Sequence, residues 1–144
     1  MNIASLLASK GPRVVTVFPE QTIRQALALL AENNIGALVV VDDAQRPVGI
    51  VSERDIVREL ARSEAIFGRP VSSLMTRKVV LGVPRDDLSA VSHTMTERRI
   101  RHLPVIEDER LVGIISIGDV VKAQRDQYEG ERDTLQFQVL KSPA

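Results

Sequence analysis

The chain has 144 residues, the length of one ordinary domain or of two very small ones. Its 19 basic and 19 acidic side chains cancel, so it lacks the positive excess of a polyanion binder, and nucleic acid is disfavoured as a partner. Cysteine is absent, which excludes disulfides, thiolate metal sites and thiol catalysis, and no stretch approaches the roughly 20 apolar residues of a membrane span. These features point to a soluble, cytoplasmic protein.

Val, Ile and Leu number 19, 11 and 14, against three Phe, one Tyr and no Trp. The core is therefore aliphatic, and the weight of Val favours strands. Residues 1–10 carry their first cation, Lys10, after the apolar stretch, unlike a signal peptide, and read as a short helix packed on the body. Val14–Val17 reads as a strand. Thr22 with Gln25 three residues on is a capping box. The helix it opens puts Ile23, Ala26, Leu27, Leu30 and Ala31 on one face, and Asn33-Asn34 stops it. Ala37–Val41 is apolar on both faces, as a buried strand is. Residues 42–47 supply a turn, and Val48–Val51 pairs back as a hairpin. A second helix starts near Ser52 and is expected to carry Ile56, Val57, Leu60 and Ala61 inward.

The same pattern then recurs. Residues 14–41 lie over 79–106, with Val14 on Val79, Val15 on Val80, Pro19 on Pro84, Ile35 on Ile100 and Val40 on Val105. After a one-residue deletion, Val48-Gly49-Ile50 falls on Val112-Gly113-Ile114, Ser52 on Ser116 and Asp55 on Asp119. In the second copy Asp87 caps a helix whose inner stripe is Leu88, Val91 and Met95. The chain reads as a tandem duplication of a β-α-β-β-α unit: 1–66 the first repeat with its N-terminal helix, 67–125 the second, 126–144 a tail. Two helices can cover only one face of a three-stranded sheet, so each unit alone is marginal. Two copies packed through their sheets about a pseudo-twofold axis bury the open faces and leave clefts between them.

Two motifs carry chemistry. Gly49-Ile50-Val51-Ser52-Glu53-Arg54-Asp55 and Gly113-Ile114-Ile115-Ser116-Ile117-Gly118-Asp119 each sit where a strand turns into a helix. Ser followed three residues later by an acid is a capping box in its own right. It also suits a ligand: free N–H groups at the helix start and the Ser hydroxyl hold a phosphate, and the Asp accepts from a ribose diol. Both readings stand, since a ligand can displace a cap. In Arg98-Arg99-Ile100-Arg101-His102, Arg98 and Arg99 suit the end of a helix dipole. Arg101 and His102 lie at a strand entry, where a cation calls for an anion nearby. The first copy has Gly36 and Ala37 there, so one cleft is expected to be the more basic. His93 reads as a surface residue, and Asp42-Asp43 and Glu107-Asp108 as hairpin-turn acids. There is no acid–base–nucleophile order, no Walker loop and no Gly-x-Gly-x-x-Gly, and the expectation is that the protein is not an enzyme.

With Asn34-Ile35-Gly36-Ala37-Leu38-Val39-Val40, Ile100-Arg101-His102-Leu103-Pro104-Val105 and both junction motifs in order, the chain resembles a tandem pair of CBS domains, the cystathionine β-synthase repeat, forming one stand-alone Bateman module over residues 3–125. The resemblance implies an α/β (α+β) fold and an adenosine-containing ligand such as AMP, ADP, ATP, NAD(H) or S-adenosylmethionine, with AMP first among them. Carried onto this chain, one pocket takes its base-holding wall from Arg13, Val15, Ile35 and Ala37 and its phosphate and ribose groups from Arg101, Ser116 and Asp119. The second uses Lys78, Val80, Ile100 and His102 with Ser52, Arg54 and Asp55. The resemblance also implies a homodimer, a disc of four repeats, and a regulated partner protein. The alternative is a scaffolding pair that binds no nucleotide and acts through protein contacts.

Overall fold

The computed structural model describes residues 1–129, so most of the tail expected over 126–144 lies outside the described residues. The elements follow as α1 (Ile3–Lys10), β1 (Thr16–Val17), α2 (Ile23–Asn33), β2 (Ala37–Val41), β3 (Pro47–Ser52), α3 (Glu53–Leu60), a 3-10 turn (Val71–Ser73), α4 (Leu88–Arg98), β4 (His102–Glu107), β5 (Arg110–Ser116) and α5 (Ile117–Glu129). α5 thus runs four residues beyond the repeat boundary expected at 125.

Local chemistry explains the boundaries. Thr22 and Gln25 form the reciprocal box at the start of α2, and the Asp87 side chain accepts from the Ser89 and Ala90 amides at the start of α4. α2 and α4 end at equivalent residues, Asn34 and Arg99, both left-handed (φ 51° and 54°). The β2–β3 hairpin is irregular between Val40 and Val41, and the β4–β5 hairpin at the corresponding place, between Val105 and Ile106. The duplication seen in the sequence therefore extends to its irregularities.

The two sheets are not equal. β1 is shorter than Val14–Val17 and pairs in parallel with β2, Thr16 opposite Val39 and Val17 opposite Val40. The second sheet has two strands, and only a parallel bridge between Gly82 and Val105 marks the missing third. Gly82 holds the position of Val17. Its backbone still donates to the Pro104 carbonyl and accepts from the Ile106 amide, at 2.9 Å each. A Cβ there would lie 2.8 Å from Leu103 and 2.9 Å from Ile3. The space that Val17 fills in one repeat is filled in the other by Ile3 of α1.

That substitution reflects an exchange of segments. α1 precedes the first repeat but packs on the second: Ile3, Leu6 and Leu7 share a core with Leu88, Val91, Met95, Leu103, Val105 and Ile115. The backbone anchors it there, Ile3 N–H donating to the Asp86 carbonyl and Leu88 N–H to that of Met1. Reciprocally, residues 66–75, at the joint between the repeats, pack on the first, where Ile66 and Val71 join Val17, Ile23, Leu30, Leu38, Val40 and Ile56. Here Ile23 N–H donates to the Arg69 carbonyl and Val71 N–H to that of Gln21.

Leu38 and Val40 face this first core, while Ala37, Val39 and Val41 point from the opposite face of β2 and are equally buried. Period two in a strand demands this once both faces are covered. The expectation for α3 does not hold: Ile56 is buried, but Val57 is 64 % exposed, Leu60 37 % exposed, and Ala61 is exposed beyond the helix end. Two short turns offer one inward position, and the rest of the apolar face looks outward. Val121 on α5, the counterpart of Val57, is 55 % exposed. Ala31 on α2 is also exposed.

Candidate functional site

Each hairpin delivers a Ser at its last strand residue and an Asp one turn into the next helix. At α5 the Asp119 carboxylate accepts from the Ser116 amide at 2.8 Å, and the Ser116 hydroxyl accepts from the Asp119 amide at 3.0 Å. At α3 the same bonds join Ser52 and Asp55 at 3.0 and 3.1 Å, and the Ser52 hydroxyl also donates to Asp55 at 2.9 Å. The N–H of the first helical residue is held in both cases by a carbonyl from the other strand of the hairpin, Ile117 by Arg101 and Glu53 by Gly36. Both junctions are therefore closed capping boxes, and of the donors expected at each helix start the Gly118 and Arg54 amides are the ones left open among the described residues.

The junctions open onto two clefts. The first, of about 340 Å³, ends on α5. One wall comes from the first repeat, with Arg13, Val15, Ile35 and Ala37, and the other from Ser116, Asp119, Ile114 and His102. Six of the seven residues expected here thus line one cleft. Arg101 does not. Its carbonyl turns toward α5 to take the Ile117 N–H, and its side chain lines the second cleft. Adjacent residues at a strand entry project to opposite sides, so the cation expected beside Ser116 sits across from Ser52 instead.

Its place at Asp119 is taken by Lys10. The ammonium at the end of α1 donates to Asp119 Oδ2 and to the Ile114 carbonyl, both at 2.6 Å. Burial raises the Asp119 carboxyl, but the Lys10 and Ser116 hydrogen bonds outweigh it and hold the group below its ordinary value of 3.8. Arg13 is engaged too, its guanidinium donating to the Asn33 side chain. Neither Lys10 nor Asn33 reads as a site residue in the sequence, because what brings Lys10 to the cleft is the crossing of α1 to the second repeat.

The second cleft, of about 710 Å³, ends on α3. It gathers all seven residues expected of it: Lys78, Val80, Ile100 and His102 from one side, Ser52, Arg54 and Asp55 from the other. Arg58, Arg99, Glu53 and Thr76 join them. Arg58 had one signal in the sequence, its position four residues after Arg54, which places both on one helix face. His102 lines both clefts. Burial first, then the Lys10 and Arg101 charges, lower its pKa below 6.5, against the opposing pull of Asp119 and Glu53. The imidazole is therefore neutral near pH 7.

Among the described residues no group of three or more His, Cys, Asp or Glu could hold a metal ion, and no helix is long and apolar enough to cross a membrane.

The CBS domain family model matches residues 9–62 and 71–126. The chain is 35 % identical over 122 residues to the CBS domain-containing protein YhcV of Bacillus subtilis, covering 85 % of this chain and 86 % of that one. It is 43 % identical over 105 residues, 73 % of this chain, to a 33.4 kDa Thermofilum pendens protein encoded in a ribosomal RNA operon, of which it spans 34 %. A CBS-domain protein of Agrobacterium tumefaciens has a similar crystal structure, with TM-score 0.82, 42 % identity, 86 % of this chain and 99 % of that one. Two similar structures carry ligands. CBSX2 was crystallised with AMP (TM-score 0.75, 29 % identity, 89 % and 98 % coverage). The CBS pair of MJ0100 was crystallised with methylthioadenosine and S-adenosylmethionine (TM-score 0.79, 25 % identity, 88 % and 98 % coverage).

Proposed function

The chain belongs to the CBS domain family as a tandem pair, and we propose that it is a non-catalytic regulatory module that binds an adenosine-containing ligand between its repeats and transmits the bound state to a partner protein. The observation that carries this reading is the form of the first cleft. An apolar wall from one repeat (Val15, Ile35, Ala37) faces a Ser–Asp helix start from the other. A flat base fits the wall, the ribose hydroxyls donate to Asp119, and a phosphate takes the Gly118 N–H. The adenosine ligands of CBSX2 and the MJ0100 pair support the class, with AMP the first choice and ADP, ATP or NAD(H) within it.

Lys10 and the Ser116 amide both bond Asp119 Oδ2, which leaves Oδ1 for a ribose hydroxyl, and the Lys10 ammonium then lies next to the incoming phosphate. A ligand that prefers one arrangement of Lys10 shifts the position of α1, and hence the surface shown to a partner. The same ion pair favours the scaffolding alternative, because it balances the Asp119 charge with no ligand at all.

The exposed Val57, Leu60, Val121 and Tyr128 on α3 and α5 support a homodimer built across these two helices. We place the module in the cytoplasm on the composition argument above. A thermal-shift series with adenosine, AMP, ADP, ATP, NAD and S-adenosylmethionine tests the reading. A ligand at 100 times its Kd adds about 2.7 kcal/mol. No shift with any of them at millimolar concentration leaves the scaffolding alternative.

A further inference from the structure

The chain is electrically neutral, yet its cations are not evenly spent. Several are engaged: Lys10 with Asp119, Arg46 with Asp42, Arg62 and Arg69 with Glu59, Arg13 with Asn33, Arg77 with the Ser72 carbonyl. Five others line the second cleft: Arg54, Arg58, Lys78, Arg99 and Arg101. Among the described residues none of these five side chains makes an ion pair or a hydrogen bond. The cleft's acids are Glu53 and Asp55, and Asp55 is held by Ser52, so the lining carries an excess of three positive charges with His102 neutral.

This cluster is not a run of basic sequence that happens to be solvated. It converges from three separate places: α3, where Arg54 and Arg58 stand one turn apart, the segment between the 3-10 turn and α4, which brings Lys78, and the turn between α4 and β4, which brings Arg99 and Arg101. Arg99 is held in the left-handed conformation at the end of α4, which fixes the course of that turn. Unpaired cations that surround a concavity repel one another, and a multivalent anion relieves that repulsion. The first cleft differs on every count. It has half the volume, both its cations are already bonded, and its charge excess is one.

We propose that the two clefts divide ligands by phosphate number: the cleft ending on α3 takes an adenosine ligand with two or three phosphates, and the cleft ending on α5 takes one with a single phosphate or none. This deepens the adenosine-ligand reading and rests on it. The apolar floor of Ile50, Val80 and Ile100 receives the base, and the phosphate chain runs out over the arginines of α3 and the α4–β4 turn.

The experiment is a calorimetric titration of the full chain with AMP and with metal-free ATP at low and at moderate salt, repeated on Arg54→Gln/Arg58→Gln and on Arg99→Gln/Arg101→Gln. These are exposed side chains, so the variants should keep the wild-type melting temperature. The proposal expects a site that binds ATP at least about tenfold more tightly than AMP, a preference that weakens with salt. It expects each double variant to lose most of that preference while AMP binding at the other site persists. Inorganic tripolyphosphate should displace ATP from this site and leave AMP bound. Equal affinity for ATP and AMP in the wild type, or a preference that survives both double variants, overturns the division of ligands and leaves the adenosine reading intact. Absence of binding by either nucleotide overturns both.

Discussion

Gly49 opens the junction motif of the first repeat, and its role separates two accounts of that motif. If the glycine lets an anion approach, Gly49→Ala should cost affinity and spare stability. The structure assigns it a packing role. Gly49 lies in β3 opposite Val40, and a Cβ there would sit 2.6 Å from Met75 Sδ, 2.9 Å from Met75 Cγ and 3.1 Å from the Thr76 carbonyl oxygen. Met75 is flexible, but Thr76 is not free to retreat, because its amide and carbonyl both bond Ile50, at 2.8 and 3.0 Å. Overpacking of this kind costs about 1–3 kcal/mol, and loss of glycine entropy in the unfolded chain returns about 0.4–1 kcal/mol. The net expectation is a loss of about 1–2 kcal/mol, or roughly 3–6 °C in Tm for a chain of this size. At the twin position, Gly113, the atoms met are the tips of Leu7 at 2.9 and 3.0 Å, which can rotate away, so Gly113→Ala should cost less. Urea unfolding of both variants measures this. Met75→Ala placed in the Gly49→Ala background should show a favourable coupling of about 0.5 kcal/mol or more. A Gly49→Ala protein as stable as wild type, or one with no coupling to Met75, would refute the packing account.

Lys10→Met removes the bonds to Asp119 and Ile114. Those side chains are about a third exposed, so the loss should be only about 0.5–1 kcal/mol at pH 7. Asp119 is held below 3.8, so its contribution is present above that pH and is lost as pH falls through the lowered value. Lys10→Met should flatten stability against pH on this acid side, read by urea midpoints from about pH 5 down to 2. The lowered pKa of His102 has the opposite charge sense: the unfolded chain takes up the proton first, so stability falls as pH drops below 6.5. His102→Gln should lose less stability than wild type between about pH 7 and 5, and identical profiles would show that the imidazole is not held neutral. Val57→Glu/Val121→Glu should shift sedimentation from dimer to monomer with circular dichroism unchanged; an unaltered sedimentation coefficient would remove α3 and α5 from the interface.

The duplication was legible because both copies repeat the same constraints. Thr22 and Asp87 as caps, the apolar run of β2, and the Ser–Asp spacing are all local patterns, and local patterns survive in one sequence without further information. So did most of the clefts' lining, since residues matched between copies fall at matched sites. What the sequence did not reveal is what crosses between the copies. Nothing local says that α1 packs on the second repeat, so Lys10 could not be placed at Asp119, nor Ile3 in the space above Gly82. The lost third strand has the same cause: once Ile3 fills that space, Gly82 keeps two backbone bonds and no side chain. Val57 and Leu60 were misjudged because helical periodicity marks an apolar face without saying whether this chain or another covers it. That Arg101 lines the second cleft is not legible either, because a repeat alignment gives its position but not the side of the strand entry from which it leaves.

The most direct test of the account is calorimetric titration of the wild-type chain with AMP beside Asp119→Asn. The Asn side-chain oxygen can still accept from the Ser116 amide and complete the capping box, so the variant should keep its fold, while losing the charge that the ribose hydroxyls would meet. The account predicts saturable binding of AMP to the wild type and a loss of about tenfold or more in affinity at one site in the variant, about 1.4 kcal/mol per decade. Equal affinities in the two proteins, or no heat of binding at millimolar AMP, would contradict it.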